Sequence, residues 1–164
     1  MKLLEEIKNE HDQIRDYFLQ MENNEEKAPE IFKELATFVL SHHDSEEKVV
    51  FPELSRKKDV VKTKNHLLAE HASVRRTIQI ILDTPDDDKM WELYVHVLKD
   101  LLAHHVEEEE EELFEVLREE KDEAELKELY KTFEDHFEKV KPTMKQNVAD
   151  AKIYQKEDRI PKPE

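Results

Sequence analysis

Apolar positions recur at helical intervals along nearly the whole chain. From Leu3 to Glu22, the residues Leu3, Ile7, Ile14, Phe18 and Met21 are spaced by three, four or seven, which keeps them on one side of a helix that turns roughly 100° per residue. After Ala28-Pro29, where proline suits a first helical turn, Ile31, Leu35, Phe38, His42, Glu46 and Val49 share a second line. A third line, Val60, Leu67, Leu68, His71, Val74 and Ile78, starts behind Asp59 as an N-cap and runs to Leu82. Thr84-Pro85-Asp86-Asp87-Asp88 opens a fourth helix with acidic residues that complement its dipole, and Trp91, Tyr94, Leu98, Leu102, His105, Glu109 and Val116 face inward from it. The last line is Leu126, Leu129, Tyr130, Phe133, Phe137, Val140 and Met144, with Pro142 as a place for a kink. These patterns predict helices over 3–22, 28–51, 60–82, 86–119 and 123–148, followed by a loosely ordered polar tail over 151–164.

Polar residues interrupt these apolar lines at particular places. His42 and Glu46 stand four residues apart, as do His105 and Glu109, so each pair emerges on one helix face about a turn apart, which is a metal-ligand spacing. His11 sits at the edge of the first stripe and His71 lies on the third. The same wheel turns His43 and Glu47 outward to the flank, places His66 on the opposite side and points His104 away. The pattern is also duplicated: Glu10-His11-Asp12-Gln13-Ile14-Arg15 reads against Glu70-His71-Ala72-Ser73-Val74-Arg75, and His42 to Phe51 reads against His105 to Phe114. Two helical hairpins, each giving one isolated His and one His-x-x-x-Glu, predict an all-α, antiparallel up-down four-helix bundle. The additional C-terminal helix would cover one side or end of it.

Composition agrees with this fold. With 41% charged residues, no glycine and six prolines in 164 residues, there is little turn chemistry for a sheet and much material for long helices. The length suits one domain, expected over 1–150. A formal net charge of -16 opposes nucleic-acid binding, which relies on clustered Lys and Arg, and leaves cationic ligands open. The absence of cysteine excludes disulfides, thiolate metal sites and cysteine nucleophiles. Met1-Lys2-Leu3-Leu4-Glu5-Glu6 has no apolar signal core, and no apolar run approaches the roughly 20 residues that span a bilayer. A cytoplasmic protein with no membrane segment is expected. In the run Glu107 to Glu112, Glu109 alone is expected to turn inward from a solvated face.

A buried carboxylate costs several kcal/mol unless it is paired or bound to a metal. His11, His42, Glu46, His71, His105 and Glu109 on four apolar stripes therefore point to cations. Imidazole and carboxylate suit iron, manganese or zinc. Two cations divide the charge most naturally, with both carboxylates as bridges, two imidazoles on each ion, and positions left for an oxo or hydroxo bridge and a small diatomic ligand. Glu10 and Glu70 stand either as outer partners that orient ligand imidazoles or as surface residues. A seventh ligand could be His43, His104, Glu70 or solvent.

An isolated first-helix His, the stretch His42-x-x-x-Glu46-Glu47-x-x-x-Phe51-Pro52, Glu70-His71 and a second His105-x-x-x-Glu109 together resemble the hemerythrin-like, or HHE cation-binding, domain over about Leu3 to Leu117. The resemblance implies a bundle holding a non-haem di-iron centre, with His11, His42, His71 and His105 as terminal ligands and Glu46 and Glu109 as bridges. Oxygen-carrying hemerythrins have a further His one turn before the third-helix ligand. Leu67 stands there in this chain, and Glu115 replaces a second Pro. The four-His, two-Glu set looks more like hemerythrin-like proteins that repair iron centres under nitrosative or oxidative stress. The leading expectation is a di-iron protein that binds dioxygen, nitric oxide or peroxide for sensing, storage or detoxification. The alternatives are a di-iron enzyme acting on nitric oxide or peroxide, and a storage or structural bundle holding iron, zinc or manganese.

Overall fold

The computed structural model describes residues 2–154, and all regular structure among them is helical. The elements are α1 (Lys2–Asn23), α2 (Ala28–Ser45), α3 (Lys58–Asp83), α4 (Lys89–Glu108), α5 (Phe114–Glu120) and α6 (Glu123–Ala149). Two π turns, Glu46–Val50 after α2 and Glu109–Leu113 between α4 and α5, interrupt what the periodicity predicts as continuous helices over 28–51 and 86–119. Each π turn begins on an inward glutamate, Glu46 or Glu109, and the residues that follow are buried: Val49, Val50 and Phe51 after the first, Leu113 and Phe114 at the end of the second; single π turns of this kind occur inside helices at functional sites.

Helix ends differ from the expected ones in two places. Asp59 lies inside the first turn of α3, whose N-cap Lys57 makes no side-chain bond. The fourth helix starts at Lys89, with the Asp88 side chain accepting from the Met90 N–H at 2.8 Å, while Pro85 to Asp87 form the preceding turn. α6 opens on a full capping box, with Asp122 accepting from Glu125 N–H and the Glu125 side chain accepting from Asp122 N–H. Asp122→Ala is expected to cost about 1 kcal/mol, measurable by urea denaturation.

The interior consists of two apolar clusters. The first gathers Leu3, Leu4 and Ile7 with Val49 to Phe51, Leu67, Leu68, Leu113, Phe114 and Phe133. The second gathers Ile14 and Phe18 with Leu35, Val39, Leu40, Val74, Ile78, Leu98 and Leu102. Along the chain, α1 passes from the first cluster to the second, α2 with its π turn from the second to the first, α3 from first to second, and α4 with its π turn back again. Every one of the inward histidines falls where its helix crosses from one cluster to the other. Two apolar masses are thus separated by a polar belt.

α6 packs along α2 and α1 and places Phe133 in the first cluster and Val148 in the second. Part of the tail expected to be loose is held in place: Gln79 bonds the Ala151 carbonyl at 2.7 Å and the Ile153 and Tyr154 N–H groups at 2.6 and 3.0 Å. The remainder of that tail, 155–164, lies outside the described residues. Among the described residues no helix is long and apolar enough to cross a membrane.

Candidate metal centre

The six residues predicted from sequence meet in the polar belt. His11, His42, Glu46, His71 and Glu109 are fully buried, and His105 is 1% exposed. His43, predicted to face the flank, is also inside at 2% exposed. α2 packs against both α1 and α6, so a wheel that allows it one covered face assigns His43 wrongly.

Each of the four imidazoles is fixed by a carboxylate on its Nδ1. Glu110 holds His11 at 2.8 Å, Glu10 holds His42 at 2.6 Å, Glu47 holds His71 at 2.8 Å and Glu70 holds His105 at 2.7 Å. Ionised carboxylates only accept, so each Nδ1 carries a proton and each Nε2 is turned inward, where it becomes a lone-pair donor once it gives up any proton of its own. The four bonds form a closed ring. A residue from each of α1, α2 with its π turn, α3, and α4 with its π turn orients the histidine of the next helix in order. Two arginines support the ring, Arg75 on Glu47 at 3.1 Å and Arg15 near Glu110 at 3.7 Å, which gives a physical role to the repeated Glu-His-x-x-aliphatic-Arg motif. Phe51 stacks over His71, Phe114 over His11, and Phe133 meets His42 edge-on.

Inside the ring the donors fall into two groups. His43, Glu46, His71 and His105 form one set able to hold a cation, and His11, His42, Glu46 and Glu109 form the other. Both carboxylates span the groups. Glu46 turns Oε2 to His42 at 3.4 Å and Oε1 to His71 at 3.3 Å; Glu109 turns Oε1 to His11 and Oε2 to His105, each at 3.1 Å. The Nε2 atoms of His71 and His105 face each other at 3.1 Å. His42 Nε2, His43 Nδ1, both Glu46 oxygens and Glu109 Oε2 are buried and lack a hydrogen-bond partner, although the acid–imidazole distances just given are short. Of these acid–imidazole contacts only His11 Nε2 to Glu109 Oε1 has hydrogen-bond geometry; the others converge on shared points without it. Such orphaned groups cost several kcal/mol in an apolar interior, and a pair of cations between them would satisfy all of them.

That observation coincides with a sequence match: the hemerythrin HHE cation-binding domain matches residues 2–117. The chain belongs to this family. No curated protein and no solved structure matches it. The match covers α1 to α4 and the first half of α5, and α6 lies beyond it while contributing Phe133 to the wall beside His42.

Electrostatics in the HHE centre follow from burial opposed by close acids. For His105, burial lowers the pKa, but hydrogen bonds with Glu109 and Glu70 and the charges of Glu109 and Glu46 outweigh it and raise it from 6.5 to about 10. His42 is raised in the same way by Glu46, Glu10 and Glu109 against its burial. Burial, then the nearby His71, His105 and His42, push His43 well below its ordinary value, so it is a neutral lone-pair donor. Burial alone would raise Glu109, yet contacts with Glu46, His105, His11 and His42 hold it well below the usual carboxylate range. A group raised in the folded state stabilises fully below its unfolded pKa and loses that contribution as pH climbs through the folded one. The metal-free HHE domain is therefore expected to lose thermal stability between pH 6.5 and about 10, whereas cation uptake displaces those protons and acidifies an unbuffered solution. Calorimetry and a pH-stat check the two halves.

Of the other candidates, Glu10 and Glu70 act as outer partners, and sequence reasoning missed Glu47 and Glu110 in the same role. Their signal was the doubled acid, Glu46-Glu47 and Glu109-Glu110. His104 is exposed, and His136 pairs with Asp44 at 2.8 Å. Replacing any one outer carboxylate, for example Glu47→Gln, is expected to weaken metal binding by about 10- to 100-fold, read by competition with a chromophoric chelator. Ile14, Leu67, Leu68 and Leu102 are buried around the belt and keep it dry. A cleft of about 120 Å³ reaches His43 and Glu47 past Asp44, Arg75 and Lys152. A larger cavity, about 510 Å³ between Phe18, Met21 and Trp91, touches none of the donors; the small cleft is the one that bears on the centre.

Proposed function

We propose that this HHE domain binds two iron ions and, through them, dioxygen or a related small ligand such as nitric oxide or peroxide, for sensing, storage or detoxification. The supporting observation is the ring of four carboxylates that turns every Nε2 inward onto two straddling glutamates. His43, His71 and His105 would serve one ion, His11 and His42 the other, and Glu46 and Glu109 would bridge. His43 thereby supplies the seventh ligand where oxygen carriers use the position of Leu67. The alternating passage of α1 to α4 between the two apolar clusters supports an antiparallel up-down four-helix bundle in a single domain, with α6 as the added helix.

A ferrous pair supplies electrons to an oxidising ligand. The chain's residues would hold and orient the ions, Phe51, Phe114 and Phe133 pack against the ligand imidazoles, and the small cleft lined by His43 suits a small ligand better than a bulky substrate. Manganese or zinc would fit the same donors. The test is an anaerobic sample loaded with Fe²⁺ and mixed with limiting dioxygen. A visible charge-transfer band that saturates near one equivalent per ion pair supports the reading, and oxygen left unconsumed with a flat spectrum overturns it. Repeated turnover with peroxide and excess reductant would move the assignment from binding protein to enzyme.

A further inference from the structure

A second set of metal-binding side chains lies on the surface between α3 and α4. His66 and Glu70 stand four residues apart on α3, and His104 and Glu108 four apart on α4, the latter pair one position before the interior His105 and Glu109. The pairs converge. His66 Nε2 lies 3.0 Å from Glu108 Oε2 and 3.3 Å from Glu70 Oε2; His104 Nε2 lies 3.1 Å from Glu108 Oε1 and 3.7 Å from Glu70 Oε2. His66, Glu70 and Glu108 satisfy the spacing of a cation site by themselves, and His104 adds a second imidazole. Both histidine side chains are more than half exposed, while Glu70 and Glu108 are 14% and 22% exposed.

Glu70 connects this surface set to the buried one. Its Oε2 faces His66 and His104, and its Oε1 accepts from His105 Nδ1 at 2.7 Å. On α4, His104 and Glu108 are the immediate neighbours of His105 and Glu109. One carboxylate therefore belongs to both layers, and a cation held outside has its next set of donors on the same two helices.

We propose that His66, Glu70, His104 and Glu108 form a solvent-facing site for a divalent first-row cation that feeds the buried centre. Two imidazoles and two carboxylates suit Zn²⁺, Fe²⁺ or Mn²⁺. Exposure makes the site weaker and faster to exchange than the interior. The net charge of -16 raises the local concentration of cations around the protein. The surface site stands independently of which metal the buried centre takes, whereas its feeding role rests on the buried centre being a metal site.

The test compares the full chain with His66→Ala/His104→Ala, two substitutions at exposed positions that leave both apolar clusters intact. With Zn²⁺ as the probe, calorimetric titration of the metal-free proteins is expected to show one additional, loosest ion in the wild type, absent from the double variant, with the tight ions kept by both. Stopped-flow mixing with Fe²⁺ is expected to fill the buried centre severalfold more slowly in the variant, which lacks the imidazoles that would hold an ion beside Glu70. Equal stoichiometry in the two proteins overturns the surface site, and equal filling rates overturn its feeding role. Failure of the buried reading would look different, with the tight ions missing from both proteins.

Discussion

Replacing Glu109 with alanine is expected to empty both cation positions of the buried centre, not one. Its two oxygens face opposite groups, Oε1 toward His11 and His42 and Oε2 toward His105. Losing the carboxylate strips a donor and a negative charge from each position at once, among side chains that are fully buried. Glu46→Ala should behave alike, since Glu46 spans His42 and His71 in the same way. The loss of affinity should exceed the roughly 10- to 100-fold typical of an outer partner, enough to leave purified protein essentially free of tight metal. His96→Ala, on an exposed position of α4, is the control and should keep its metal. Metal analysis after gel filtration decides it; retention of one ion in Glu109→Ala would show that the carboxylate does not straddle two.

Removing the metal should also destabilise the fold substantially. A ligand at about a thousand times its dissociation constant adds about 4 kcal/mol to stability, and for a domain of this size each kcal/mol moves Tm by about 2–4 °C. A fall of about 10 °C or more on chelation is therefore expected, followed by recovery on adding Fe²⁺. The stripped centre contributes in the same direction, because the orphaned Glu46 oxygens and His42 Nε2 lie where no water reaches them. Equal melting temperatures with and without chelator would mean that the polar belt is satisfied by protons alone.

Much of this centre can be read from the chain, for identifiable reasons. His42 with Glu46 and His105 with Glu109 sit on unbroken α-helical spacing at otherwise apolar positions, and His11 and His71 gain weight from their duplicated contexts. His43 is different. A helical wheel asks which face of α2 is apolar, but between Leu35 and Glu46 this helix is buried nearly all round. The overlooked signal was the set of small residues Ala36, Thr37, Ser41 and Ser45 where a solvated helix would carry Lys or Glu. The π turns escaped for a related reason, since apolar periodicity fixes a face and not a ladder. His66 and His104 each look like isolated surface histidines in sequence. Their meeting depends on how α3 and α4 pack, which no spacing within either helix contains.

Anomalous diffraction at the iron absorption edge from crystals of the iron-loaded chain addresses the buried centre most directly. Two peaks are expected in the polar belt, one beside His43, His71 and His105 and the other beside His11 and His42, with Glu46 and Glu109 between them. A single peak, or scatter confined to the protein surface, would contradict it.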